Sequence, residues 1–221
     1  MNKYKKIVSI AATAVMCVAP MSVYAQEAQT DVIEAVAEKK QDTESSSVPV
    51  LQKEGIEISE GTGYDLSKEP GAATVKALEQ GTIVISYKTT SENAIQSLLS
   101  VGNGTKGNQD RHFHLYITNA GGVGMELRNT DGEFKYTLDC PAAVRGSYKG
   151  ERVSNTVALK ADKENKQYKL FANGELIATL DQEAFKFISD ITGVDNVMLG
   201  GTMRQGTVAY PFGGSIERMQ V

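Results

Sequence analysis

The sequence predicts an all-β fold: a sandwich of two antiparallel sheets with one or two short helices. Three observations predict it. Apolar residues recur at every second position over most of the chain from Val50 onward, the period of a strand that buries one face. The alternating runs are short and are separated by Gly- and Asn-containing turns, of which Asn173-Gly174 is the strongest hairpin signal. No segment repeats at a fixed period, which argues against a propeller or a solenoid.

Taken in order, the chain opens on basic Lys3, Lys5 and Lys6, a mostly apolar stretch from Ile7 to Val18, Pro20, and then Val23-Tyr24-Ala25. This reads as a secretory signal peptide over residues 1–25, too short for the ~20 residues a bilayer-spanning helix requires. Residues 26–49 carry Glu27, Asp31, Glu34, Glu38, Asp42 and Glu44, then Ser45-Ser46-Ser47, and no aromatic residue. They read as an acidic flexible linker. Residues 50–221 form the predicted sandwich. Ile83, Ile85 and Tyr87 mark one inward face; Phe113, Leu115 and Ile117 a second; Val123, Met125 and Leu127 a third. Phe134, Tyr136 and Leu138, then Val157, Leu159 and Ala161, continue the pattern. Tyr168, Leu170 and Ala172 lead into the Asn173-Gly174 turn, and Leu176, Ala178 and Leu180 return from it. Only residues 184–191 and 74–78 have a helical pattern.

Composition narrows the function classes. The 221 residues carry 23 Lys+Arg against 27 Asp+Glu, a formal charge of −4. Loss of residues 1–25 removes three lysines and no acid, giving −7. That balance argues against a surface that tracks nucleic-acid phosphates. With no Trp, a ligand site must use Tyr, Phe or polar groups. Two Cys and two His exclude a disulfide scaffold and a multi-Cys zinc fold. Cys140, alone once the leader is removed, reads as a small buried hydrophobe.

The outward faces are where chemistry can sit. Alternation places Tyr116, Glu126 and Arg128 on the non-core side of two consecutive strands joined through Asn119-Ala120-Gly121-Gly122. A pairing register symmetric about Gly121 sets Tyr116 opposite Glu126. A guanidinium fork, a carboxylate acceptor and an aromatic hydroxyl suit a polar, anionic small ligand; the plain alternative is a solvated Glu–Arg pair. His112 and His114 share this face at a spacing that can chelate a metal, but a third ligand would have to be a carboxylate. The alternative places them as polar groups at the surface or as a wall near the patch. Residues 102–107 match G-x-G-x-x-G, but with no following helix the match reads as a turn. No nucleophile elbow is present, so catalysis is not expected, although carboxylates are numerous enough for a glycosidase pair.

The segments Asn155-Thr156-Val157-Ala158-Leu159-Lys160, Tyr168 through Leu176, Leu199 through Arg204, and Pro211 through Val221 resemble the concanavalin-like lectin sandwich, or jelly roll. More narrowly, residues 50–221 are similar to the family 40 carbohydrate-binding modules that precede bacterial sialidase catalytic domains. The resemblance implies a non-catalytic module that binds terminal sialic acid and directs an attached C-terminal sialidase or trans-sialidase to mucin-type or sialyllactose-like glycans. It implies that Glu126 and Arg128 match the family's Glu-x-Arg strand and Arg204 its second carboxylate-binding arginine. Tyr116 and Tyr210 match its aromatic walls, and Ile95 an apolar contact. It further implies a secreted or cell-surface bacterial protein of which this chain is one piece, since no propeller box of the enzyme occurs here. No cofactor is expected, and a structural calcium is left unassigned. The competing classes are a sandwich-fold glycoside hydrolase and a laminin-G-like adhesion domain.

Overall fold

The computed structural model describes residues 48–105, 110–129, 134–144 and 153–221. The leader and the linker up to residue 47 lie outside the described residues, as do residues 106 and 107 of the 102–107 motif. Among the described residues, fourteen strands form two six-stranded antiparallel sheets and a two-stranded ribbon. The strands of one sheet, in spatial order, are β1 (Gln52–Ile58), β14 (Gly214–Gln220), β3 (Gly81–Thr89), β8 (Asn155–Asp162), β9 (Gln167–Ala172) and β10 (Glu175–Asp181). The other holds β2 (Tyr64–Asp65), β11 (Asn196–Leu199), β4 (Ile95–Gly102), β5 (His112–Thr118), β6 (Val123–Asn129) and β7 (Phe134–Cys140). The ribbon is β12 (Thr202–Arg204) with β13 (Thr207–Ala209).

The period-two residues do what the pattern requires. Ile83, Ile85, Tyr87, Phe113, Leu115, Ile117, Val123, Met125, Leu127, Val157 and Leu159 are all buried in one core between the sheets. Phe113 and Phe187 pack edge to face, as do Tyr87 and Phe212, an arrangement that adds to the gain from area burial. Asn173 and Gly174 take positive φ at the β9–β10 turn, as the two-residue hairpin demands.

Three expectations are corrected. Leu176 is exposed rather than inward, because a bulge between Leu176 and Ala178 shifts the β9–β10 register and turns Ile177 toward the core instead. Residues 184–191 supply only a 3₁₀ turn, Ile188–Asp190. The Tyr136 and Tyr168 hydroxyls donate to the carbonyls of Ala184 and Lys186, so carbonyls that a helix would use internally are held by core tyrosines. Cys140 is half-buried rather than enclosed. The other short helix is α1 (Ala72–Lys76), which buries Ala72 and Val75. Among the described residues, no helix is long and apolar enough to cross a membrane.

Candidate functional site

The outer face of the β4–β5–β6–β7 sheet carries the site. Its first determinant is the β5–β6 connection. Thr118 donates its N–H to the Gly122 carbonyl at 2.9 Å, Gly121 donates back to Thr118 at 3.0 Å, and Gly121 has φ +81°. The loop is therefore three residues long with glycine in the left-handed position. The register centres on Ala120, not Gly121: Tyr116 pairs with Gly124, His114 with Glu126, and His112 with Arg128. The sequence-based pairing of Tyr116 with Glu126 is thus wrong by two residues. A two-residue slip preserves the face of every side chain, so Tyr116, Glu126 and Arg128 still share one side.

Gly124 opposite Tyr116 has a structural purpose. A Cβ there would come within 2.5 Å of Tyr116 Cζ and 2.3 Å of Asp139 Oδ1. The ring lies over the glycine, and its hydroxyl donates to Asp139 on β7. Burial, the Asp139 hydrogen bond and the Asp139 charge all push the Tyr116 hydroxyl pKa up.

His112 and His114 are the site's floor, not its surface: they are 2% and 3% exposed. The His114 ring is sandwiched between Tyr116 and Tyr210, with centroids at 4.7 and 5.1 Å. Burial, then the neighbouring His112, Arg204 and Arg128, push its pKa down to about 3 despite the opposing pull of Glu126, so the imidazole is neutral. His112 Nε2 lies 3.2 Å from Glu126 Oε1, and its buried Nδ1 has no hydrogen-bond partner among the described residues. Burial works against the Glu126 carboxylate, but the His112 hydrogen bond and the Arg128 charge outweigh it and hold the pKa at about 2. Arg128 Nη1 donates to Glu126 at 3.2 Å, and Lys135 Nζ stands 3.7 Å from its other oxygen.

The second arginine arrives on the ribbon. Gln205 and Gly206, both at positive φ, make the tight turn between β12 and β13. The ribbon is tied down over β4: Ser100 Oγ donates to the Gly201 carbonyl at 2.8 Å, Thr202 Oγ1 to Ser97 Oγ at 3.1 Å, and Ser97 N–H to the Tyr210 carbonyl at 2.9 Å. Arg204 Nη1 then donates to the Tyr210 hydroxyl at 2.8 Å, and its guanidinium carbon sits 5.5 Å from that ring's centroid. Asp110, just before β5, accepts from Arg204 Nη2 at 3.0 Å and lies 3.4 Å from Arg128 Nη2.

Ile95, the first residue of β4 and 37% exposed, borders an open cavity of about 390 Å³ with Tyr116, Thr118, Asp139, Cys140 and Pro141. Tyr116 is the wall shared by this cavity and the arginine cluster. All six sequence-derived residues, Ile95, Tyr116, Glu126, Arg128, Arg204 and Tyr210, therefore fall on one stretch of the sheet's outer face. Sequence reasoning missed Asp139 and Asp110. Asp139 was reachable, since it follows Lys135 and Thr137 at period two on the outward face; Asp110 lies outside any strand and has no periodic signal.

Among the described residues, the group that could hold a metal ion is His112, His114 and Glu126, whose ligating atoms lie within 4.8 Å of one another. A cation entering there would face both guanidiniums and would compete with Arg128 for Glu126. Chemically, the arrangement is a shallow anion-binding face: two guanidiniums, an ionised carboxylate between Arg128 and the histidine floor, and aromatic walls.

An antiparallel sandwich with an arginine-paired polar face defines a lectin-like binding domain. The particular family follows from comparison. Residues 22–221 match the family model of the sialidase N-terminal domain, and the chain belongs to that family. It is 64% identical over 206 residues to the anhydrosialidase of Macrobdella decora, covering 90% of this chain but 27% of that protein's length. The solved structure of the CBM40 of Ruminococcus gnavus IT-sialidase bound to α2,6 sialyllactose is 99% identical, with a TM-score of 0.77, covering 78% of this chain and 92% of that one. The same module bound to α2,3 sialyllactose is 96% identical, with a TM-score of 0.75, covering 78% and 91%.

Proposed function

We propose that the chain is a non-catalytic module that holds the terminal sialic acid of glycans on the face built by Tyr116, Glu126, Arg128, Arg204 and Tyr210, with Ile95 at its edge. The observation that carries this reading is the convergence of Arg128 and Arg204, from different elements, on a single carboxylate oxygen. Two guanidiniums so placed match the carboxylate of a sialic acid. Glu126 accepts from the sugar's amide or a hydroxyl. The Tyr116 and Tyr210 rings and Ile95 cover its apolar edges.

The similar module with sialyllactose of either linkage supports recognition of the terminal sugar itself. A single sugar on an open face binds weakly, on the order of millimolar or about −4 kcal/mol. In the parent protein, the module's value lies in tethering: a C-terminal sialidase domain engaging the same mucin-type surface turns weak contacts into retention. We place this protein outside the bacterial cell, exported by residues 1–25.

The test is an NMR titration with 3′- and 6′-sialyllactose. Saturable shifts in the millimolar range, lost in Arg128→Ala and Arg204→Ala and unchanged by EDTA, are expected. No binding, or binding indifferent to both substitutions, overturns the reading.

A further inference from the structure

Asp110 has no place in the ligand contacts just described, yet it touches both arginines. Its Oδ1 accepts from Arg204 Nη2 at 3.0 Å and stands 3.4 Å from Arg128 Nη2. The other terminal nitrogen of each guanidinium is already held, Arg128 Nη1 by Glu126 and Arg204 Nη1 by the Tyr210 hydroxyl. Each fork is therefore fixed at two points, and the shared point is Asp110. The side chains of Asp110, Arg128 and Arg204 are only 19%, 24% and 25% exposed, so this is a partly desolvated network rather than a solvated surface pair.

Resting on the sialic-acid reading of this site, we infer that Asp110 is a positioning residue and charge filter: it sets the spacing of the two guanidiniums and makes the site select a singly charged carboxylate over compact dianions. Two effects follow from one oxygen. First, two like charges brought this close repel, and long arginine side chains lose rotamer freedom when ordered. A carboxylate between them offsets the repulsion before ligand arrives, so less ordering remains to be done on binding. Second, Asp110 sets a negative charge against both Arg128 and Arg204, as Glu126 does against Arg128, so the pair presents a smaller net positive charge to an incoming anion. A ligand is then held more by directed hydrogen bonds from the guanidiniums, which reward the shape of a sugar carboxylate more than raw charge. Without Asp110, the pair becomes a general anion trap.

The experiment uses the full chain and its Asp110→Ala and Asp110→Asn variants. Each is titrated with 3′-sialyllactose by NMR, with and without sodium sulfate at constant ionic strength. Asp110→Ala is expected to weaken sialyllactose binding about tenfold, the loss of one charge-assisted contact. Asp110→Asn, which keeps the shape and one acceptor oxygen, loses about threefold and covers the case in which the alanine variant fails to fold. In both variants sulfate should compete at concentrations several-fold below those needed for the unsubstituted chain. A side chain that merely braced the loop would not change this anion preference. Sialyllactose binding unchanged or tightened by either substitution, or sulfate competition equal to that of the unsubstituted chain, overturns the inference. Failure of the unsubstituted chain to bind sialyllactose overturns the reading of the site instead.

Discussion

Glu126→Gln removes one charge from the most interconnected group of the site. In the folded protein the Glu126 carboxyl is held at about 2, against an ordinary 4.5. Burial alone would raise it, so the His112 and Arg128 contacts at 3.2 Å must more than offset desolvation. That difference corresponds to about 3 kcal/mol at most. Lys135 and Arg128 are themselves partly solvated, with side chains 58% and 24% exposed, and screening reduces the figure to about 1–2 kcal/mol. A depressed folded-state pKa gives stability that is complete above the unfolded value and lost as pH falls. The contribution is therefore present above pH 4.5 and fades toward pH 2. The assay is thermal unfolding of both proteins from pH 7 to pH 2.5. At neutral pH the variant should melt about 2–8 °C lower, and the gap should close below pH 4. Other carboxylates with lowered values, such as Asp162, Asp195 and Glu217, titrate in both proteins and cancel in the comparison. Equal stability at pH 7, or a gap that persists unchanged to pH 2.5, would refute the reasoning.

Three further outcomes are expected. Gly124→Ala should displace Tyr116 and Asp139, because the added Cβ would come within 2.3 Å of Asp139 Oδ1; sialyllactose affinity should fall several-fold with little loss of melting temperature, and unchanged affinity would count against a role for the Tyr116 wall. The His114 ring resonance should stay constant from pH 8 to pH 4, since its pKa lies at about 3; a midpoint near 6.5 in an NMR titration would contradict the buried, neutral floor. Tyr210→Phe should remove the hydroxyl that accepts from Arg204 while keeping the ring over His114, weakening sialyllactose binding about three- to tenfold by calorimetry; an unaltered constant would show that Arg204 needs no such anchor.

Much of this was legible because a strand's side-chain period is two, independent of what the strand pairs with. Phe113, Leu115 and Ile117 had to face one way, so His112, His114 and Tyr116 had to face the other; the same holds for Glu126 and Arg128. The burial of the two histidines was not legible. His114 is enclosed by Tyr116 on its own strand and by Tyr210 from a segment 96 residues later, and no local pattern reports such an approach. Arg204, Tyr210 and Ile95 came from resemblance, since the ribbon is too short to have a period and is held on β4 by serine and threonine hydroxyls rather than by apolar burial.

The sequence by itself determined the sandwich, its inward faces and the side on which a polar site could form, because period and turn chemistry are local properties. Tertiary structure decided the rest. The loop hydrogen bonds set the β5–β6 register two residues from the symmetric guess. A bulge exposed Leu176, and the folding of the ribbon over β4 brought Arg204 beside Arg128 with Asp110 between them. Those outcomes depend on hydrogen-bond geometry and on contacts between residues far apart in the chain, where the free energy of a pairing is set by partners that alternation cannot name.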